Sequence, residues 1–559
     1  MARTTRTHRD LSCQPSLSLT RRRFLGHVGG VTAAAAAAAA VGLPTLTPLA
    51  AKTAEAAEGN PTKDAQRAGA AYQIRHKAAL DEKNMPMPDH PVNGDEEAYT
   101  NFIGSYSKGL PHNALGEVDP TAYSALIGAV SGGSSSGFES IPLGGVVRLS
   151  NPQAALAFDL EGADSHHLGL TPPPAFSSAE EAGEMTELYW QALTRDVPFL
   201  EYENDPLTNA AAADLSRLSD FRGPKADHRV TTGTLFRGDT AGDLTGPYLS
   251  QFLWKNVPYG ATPIVQRIRT TVPNLDYMTS YSDWLVIQNG AAAGANQFDP
   301  TPRYIRNARD LTSFVHQDFS YQSFLNACLI LFGMHAAFDQ ANPYNNSRTQ
   351  TGFSTFGSPH VLDLVAKVTN CGLKAAWYQK WSVHRRLRPE EFGGAVHNRQ
   401  TNAADYSVHN DLLNSQALDA VFSRTGSYLL PQAYPEGCPT HPSYPAGHAV
   451  VAGACATALK AFFDESFVIP DPVEAGTDGL SLQPYMGGEL TVGGELNKLA
   501  ANIAIGRNAA GVHWRSDGIE GLRLGEAVAI SILRDVRGCF SENFDGFSLT
   551  KFDGTEIRV

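Results

Sequence analysis

The chain has 559 residues, 42% of them hydrophobic, a formal net charge of −13 and a pI near 5.7. That length and apolar content suffice for a large buried core. The acidic balance excludes a broadly basic footprint and so argues against a nucleic-acid partner.

The N-terminal residues read differently from the rest. "LTRRRFLGHVGGVTAAAAAAAAVGLPTLTPLA" has a basic start, an alanine-rich apolar middle and a small-residue end. That is the layout of a secretory signal, and Thr20, Arg21, Arg22, Phe24 and Leu25 fit a twin-arginine export signal. A membrane anchor would need about 20 strongly apolar residues, whereas this stretch is alanine and glycine. We therefore divide the chain into a signal segment, residues 1–57, cleaved between Ala50 and Ala57, and a single domain over 58–559, exported to the periplasm or beyond. Of six cysteines, Cys13 leaves with the signal. The five that remain are widely spaced, form no CxxC, and allow one or two bridges without specifying a pairing.

Residues 63–83 carry a helical pattern, followed by the proline-rich turn "MPMPDHPVNGD". Short apolar runs broken by Gly, Pro and Ser occupy 101–175. From 178 onward helical patterns dominate. "SAEEAGEMTELYWQALTRDV" opens with an N-cap serine and an acidic first turn. "SFLNACLILFGMHAAFDQ" is apolar nearly all round and predicts a buried helix. "HVLDLVAKVTNCGLKAAWYQKWSVHRRL" predicts a helix running into a basic turn, and three further helices are predicted over 445–465, 493–514 and 515–536. Strand-like alternation is sparse. The fold class is mostly α, a large helical domain of bundles joined by long loops.

Three segments carry candidate chemistry. In "KWSVHRRLRPEEFGG", Lys380, Arg385, Arg386 and Arg388 fall within nine residues. The run reads either as a solvated face or as a set of forks turned inward onto an oxyanion. In "HPSYPAGHA", a turn at Pro445 runs into a helix, with Gly447 open to close ligand approach and His448 on the first turn. Helix N-termini present unpaired N–H groups to anions, and a histidine there can move a proton near neutral pH. The alternative is a helix start with a packed histidine. In "GRNAAGVHWRSD", Arg507 and His513 lie six apart, and Asp517 follows His513 by four. On a continuing helix Asp517 shares a face with His513 and fixes its tautomer; otherwise Asp517 caps the next helix and His513 is core. No HExxH or cysteine cluster marks a zinc site.

Taken together, Lys-x7-Arg-Pro, Pro-x-Gly-His and Arg-x5-His-x3-Asp, in that order, resemble the vanadium-dependent haloperoxidases. That family shares its anion site with type-2 phosphatidic acid phosphatases and bacterial acid phosphatases. "HRRLRPEEFGG", "THPSYPAGHA", "RNAAGVHWRSDG", "SKGLPHNALGEVD" and "FRGDTAGDLTGPYLSQFL" resemble its bromoperoxidase branch. The resemblance implies a vanadate cofactor bonded by His513, with its oxygens held by Lys380, Arg388, Arg507 and the Gly447 amide. It implies His448 as acid–base residue and Lys380 as the cation that polarises the oxidant. It places His441, Trp377 and Gln379 at the halide, with Asp517 behind His513. The implied reaction is oxidation of bromide or iodide by hydrogen peroxide to hypohalous acid, passed to small organic acceptors. Vanadium(V) acts as a Lewis acid there. A homo-oligomer is implied and a structural calcium is allowed, although no EF-hand loop is present.

The resemblance departs at Ala446, where the family pattern has serine. Loss of that hydroxyl removes a charge-assisted bond of roughly 1.5–3 kcal/mol and predicts weaker vanadate retention. Two other functions fit the same residues: a phosphoester hydrolase with His513 as nucleophile, and an exported oxyanion-binding protein with reduced catalysis.

Overall fold

The computed structural model describes residues 61–559. The signal segment expected over residues 1–57 lies outside the described residues. The chain divides into two units, Met1–Arg75 and His76–Val559.

The described chain is mainly helical. Helix α1 spans Pro61–Lys83. Helix α2, Ala179–Leu193, starts where the sequence places it: the Ser178 side chain accepts from Glu181 N, and Glu180 and Glu181 suit the positive end of the helix dipole. Helix α3, Ala308–Gln317, is capped by Asn307 accepting from Asp310 N. Helix α4, Gln322–Gly333, is shorter than predicted. It stops at Gly333, and Pro258 lies 2.5 Å from the point a Cβ there would occupy. Helix α5 spans Ser358–Trp377 and passes without a break into a wider π-helical stretch, Tyr378–His384, before Arg385 turns the chain at φ 42°. Helices α6, Pro389–Gln400, α7, Gly447–Lys460, α8, Val492–Ala509, and α9, Arg515–Arg537, complete the set that carries the site. Among the described residues the strands form three short antiparallel pairs.

Almost every residue of α7 is buried, and it packs against α5, α8 and most extensively α9. Small residues permit that approach. A Cβ on Gly453 would lie 2.2 Å from Leu522 O, and one on Gly525 would lie 2.0 Å from Val450 O. The main apolar core gathers around this crossing, and a second surrounds α2. The five described cysteines are unpaired. Among the described residues no helix is long and apolar enough to cross a membrane.

Candidate functional site

Three starting points converge at one end of the α7–α9 crossing. The π-helical stretch delivers Lys380, the N-cap of α6 delivers Arg388, and the last turn of α8 delivers Arg507. All three are buried, so the solvated-face reading of the basic run fails here. Lys380 Nζ donates to Pro442 O at 2.8 Å and Ser443 O at 2.6 Å. Arg388 donates through Nε to His441 O at 3.0 Å and through Nη1 to Val512 O at 2.6 Å. Arg507 Nη1 donates to Val315 O at 2.9 Å, and its guanidinium lies 5.4 Å over the Tyr434 ring.

None of these three cations is in an ion pair with a carboxylate among the described residues. Their neighbours in the basic run are: Arg385 pairs with Glu96, and Arg386 with Glu181 and Asp517. Buried charge without a counter-charge is costly. Burial, with the like charges of Arg388 and Arg507, holds the Lys380 ammonium well below its ordinary pKa. Burial likewise lowers Arg388. The Arg507 Nε is buried with no hydrogen-bond partner. A bound oxyanion would supply the counter-charge that no carboxylate among the described residues provides.

His513 sits beside these cations. It is not on a helix. Helix α8 ends at Ala509, Gly511 turns the chain at φ +85°, and α9 begins at Arg515. Of the two alternatives for this segment, the helix does not continue, so His513 and Asp517 share no helical face, yet both roles considered for Asp517 are present. Asp517 Oδ2 accepts from His513 Nδ1 at 2.8 Å and from Trp514 N at 3.2 Å at the start of α9. With its proton on Nδ1, His513 keeps a lone pair on Nε2, where Arg388 Nη1 stands at 2.9 Å. Burial and then Arg388, Lys380 and Arg507 push the His513 pKa well down, so the imidazole is neutral. His441 is held neutral in the same way, and its ring lies 4.8 Å from Trp377.

A cavity of about 450 Å³ opens onto this set. Trp377, His441, Gly447, His448, Arg507 and His513 line it. Lys380 and Arg388 lie behind its wall. Two larger depressions, of about 590 and 700 Å³, lie elsewhere. We place the site in the smaller cavity because the unpaired buried cations converge there. Gly447 begins α7, and the Ala446 side chain caps nothing, so the first-turn N–H groups have no side-chain acceptor from the cap. His448 is partly exposed, with Nε2 3.2 Å from Asp318 Oδ1.

Gln379, expected at the halide, faces away from the cavity lining. It is fully buried, its amide donates to Leu168 O, and it does not line the cavity. Its amide faces Leu168, whereas its neighbour Lys380 faces Pro442 and Ser443. Asp318 and Ser443 were not evident from sequence. Asp318 follows the end of α3, 130 residues before His448, with no local motif. Ser443 donates to Asp517 Oδ2.

The donor set fits a tetrahedral oxyanion with one nitrogen ligand: three cations, a helix N-terminus, an orphaned Arg507 Nε, and the Nε2 lone pair of His513, which meets Arg388 Nη1 here. Vanadate, a hard oxo anion, needs that combination rather than a cage of metal-ligating side chains. Among the described residues no group of three or more His, Cys, Asp or Glu is placed to hold a metal ion, so the calcium allowed above finds no such cluster.

Residues 370–542 match the VCPO second helical-bundle domain. The chain is 37% identical to a vanadium-dependent bromoperoxidase of Corallina officinalis, over 88% of this chain and 98% of that protein. It is 36% identical to one of Ascophyllum nodosum, over 89% and 94%. The homohexameric structure of the second vanadate-dependent bromoperoxidase of Ascophyllum nodosum superposes with a TM-score of 0.84 at 32% identity, covering 88% of this chain and 90% of that one. The chain thus belongs to the vanadium-dependent bromoperoxidases.

Proposed function

We propose that the protein is a vanadate-dependent peroxidase that oxidises bromide or iodide with hydrogen peroxide to hypohalous acid. The observation that carries this is the set of buried cations without carboxylate partners around His513. Bound vanadate would supply a Lewis acid that activates hydrogen peroxide toward halide without changing its own oxidation state. Lys380, Arg388, Arg507 and the Gly447 N–H would hold the anion's oxygens, and His513 Nε2 would be its nitrogen ligand. Overall, halide, hydrogen peroxide and one proton give hypohalous acid and water. His448, beside the Asp318 carboxylate, is the group positioned to relay that proton from solvent to the reacting oxygens. Lys380 is the cation that draws electron density from the oxidant. His441 and Trp377 form the neutral wall that the halide meets.

Titrating the purified protein with orthovanadate and measuring bromination of a phenol indicator tests this. Activity is expected to rise from near zero to a plateau. Phosphate-ester hydrolysis without bromination would replace this reading with that of a phosphatase. Tight vanadate binding without turnover would leave an oxyanion-binding protein.

Export through residues 1–57 is proposed on the "TRRRFL" start and the alanine-rich run that follows. A homo-oligomer is proposed on the likeness to the homohexameric relative.

A further inference from the structure

The carboxylate that orients His513 is itself held from behind. Asp517 Oδ2 faces His513 Nδ1, Trp514 N and Ser443 Oγ. Its other oxygen, Oδ1, accepts from Arg386 Nη1 at 2.7 Å. The Arg386 side chain is fully buried and does not line the cavity. Nη1 also donates to Ser516 Oγ at 2.8 Å, while Nη2 donates to Glu181 and, at 3.3 Å, to Glu184. The guanidinium carbon lies 4.7 Å over the Trp514 ring. Glu184 closes the circuit by accepting from Ser516 N and Ser516 Oγ, both at 2.9 Å. A continuous buried row thus runs from α2 through Arg386 and Asp517 to His513.

A carboxylate with only Oδ2 engaged could rotate among its donors. The planar fork of an arginine pins Oδ1 and leaves Oδ2 facing the imidazole. We infer that Arg386, braced by Glu181 and Glu184, is a positioning residue for the oxyanion site: it fixes the Asp517 carboxylate and thereby aims His513 Nε2 at the bound anion. The inference rests on the function proposed above.

Two kinds of contact hold the anion, and they respond differently to a misaimed histidine. The bond from Nε2 is directional. The attraction of Lys380, Arg388 and Arg507 is not. Vanadate uses both, whereas phosphate, of the same shape and charge class, uses only the second. Lysine at position 386 keeps the positive charge among three carboxylates, but one ammonium cannot span them as the fork does.

Equilibrium dialysis of the full chain, without turnover, tests the inference. In Arg386→Lys the vanadate dissociation constant is expected to rise about tenfold or more, with phosphate binding unchanged. His513→Gln is expected to give the same split and serves as reference. Equal weakening of both anions, or no change in either, would overturn the role of Arg386. Wild-type protein that binds neither anion would overturn the proposed function, and with it this inference. If circular dichroism shows Arg386→Lys to be unfolded, Glu184→Gln carries the test. A several-fold loss of vanadate alone supports the inference, and unaltered vanadate binding removes it.

Discussion

Ala446 stands at the N-cap of α7, fully buried, next to the amides that face the anion. A serine there would do two separable things. Without ligand its Oγ would accept from a first-turn N–H and stabilise the protein by about 1 kcal/mol. With vanadate present it would donate to an anion oxygen, worth roughly 1.5–3 kcal/mol. Ala446→Ser is therefore expected to raise the melting temperature of the metal-free protein slightly and tighten vanadate binding by about one to two powers of ten. A gain in melting temperature without a gain in affinity would place the hydroxyl out of reach of the anion. Asp318 offers the complementary case. Its carboxylate meets His448 but none of the three unpaired cations. Asp318→Asn keeps a hydrogen-bond acceptor beside His448 Nε2 yet removes the carboxylate's negative charge. Turnover is expected to fall by about a hundredfold with vanadate affinity unchanged, read as bromination rate against dialysis.

The crossing of α7 and α9 joins the two helix starts that build the site, Gly447 on one and Asp517, two residues into the other. Its closeness depends on positions where a side chain would meet backbone rather than a flexible tip. A methyl group at Gly525 would strike Val450 O. Gly525→Ala is expected to destabilise by about 1–3 kcal/mol and also to weaken vanadate binding, because parting the helices moves Gly447 away from His513. Urea unfolding and dialysis on the same preparation check both, and unchanged affinity would show that the site tolerates the displacement. This close packing also marks what was readable beforehand. The Ser178 cap, the apolar run of α7 and the order of the three motifs follow local rules of spacing, and the structure agrees with each. The π-helical stretch does not follow such rules. "YQKWSVH" has no signature for a shifted hydrogen-bond register, yet that register turns Lys380 toward Pro442 and Ser443 and its neighbour Gln379 toward Leu168. The break before His513 was equally hidden. A four-residue spacing suggests a shared helical face, while the same Asp517 reaches His513 from the third position of a new helix. Asp318 comes to His448 through tertiary packing alone.

Across the protein, buried ionisable groups pull stability in opposite directions with pH. Burial lowers His112 to about 4, so such a histidine is neutral when folded and protonates more readily when unfolded. It adds stability as pH rises between about 4 and 6.5. Buried carboxyls act the other way. Glu391 and Asp243 are each raised to about 7, with burial the leading cause. Each binds a proton in the folded protein that it would lose in the unfolded one, so each removes stability as pH rises toward 7. Asp243 isolates this effect. It lies in "FRGDTAGDLTGPY", accepts from Thr240 N and Thr240 Oγ1 through one oxygen, and its Oδ1 is buried without a partner. Neither the anion cluster nor His448 touches it. Asp243→Asn keeps the shape and cannot ionise. Relative to wild type, its unfolding free energy is expected to grow between pH 4 and 7 by up to ~4 kcal/mol and then level off. Thermal melts of both proteins at pH 5, 6, 7 and 8 read this as a widening gap in midpoint that stops widening near 7. A gap that stays constant over that range would mean that Asp243 is ionised in the folded protein throughout, with a counter-charge supplied from elsewhere.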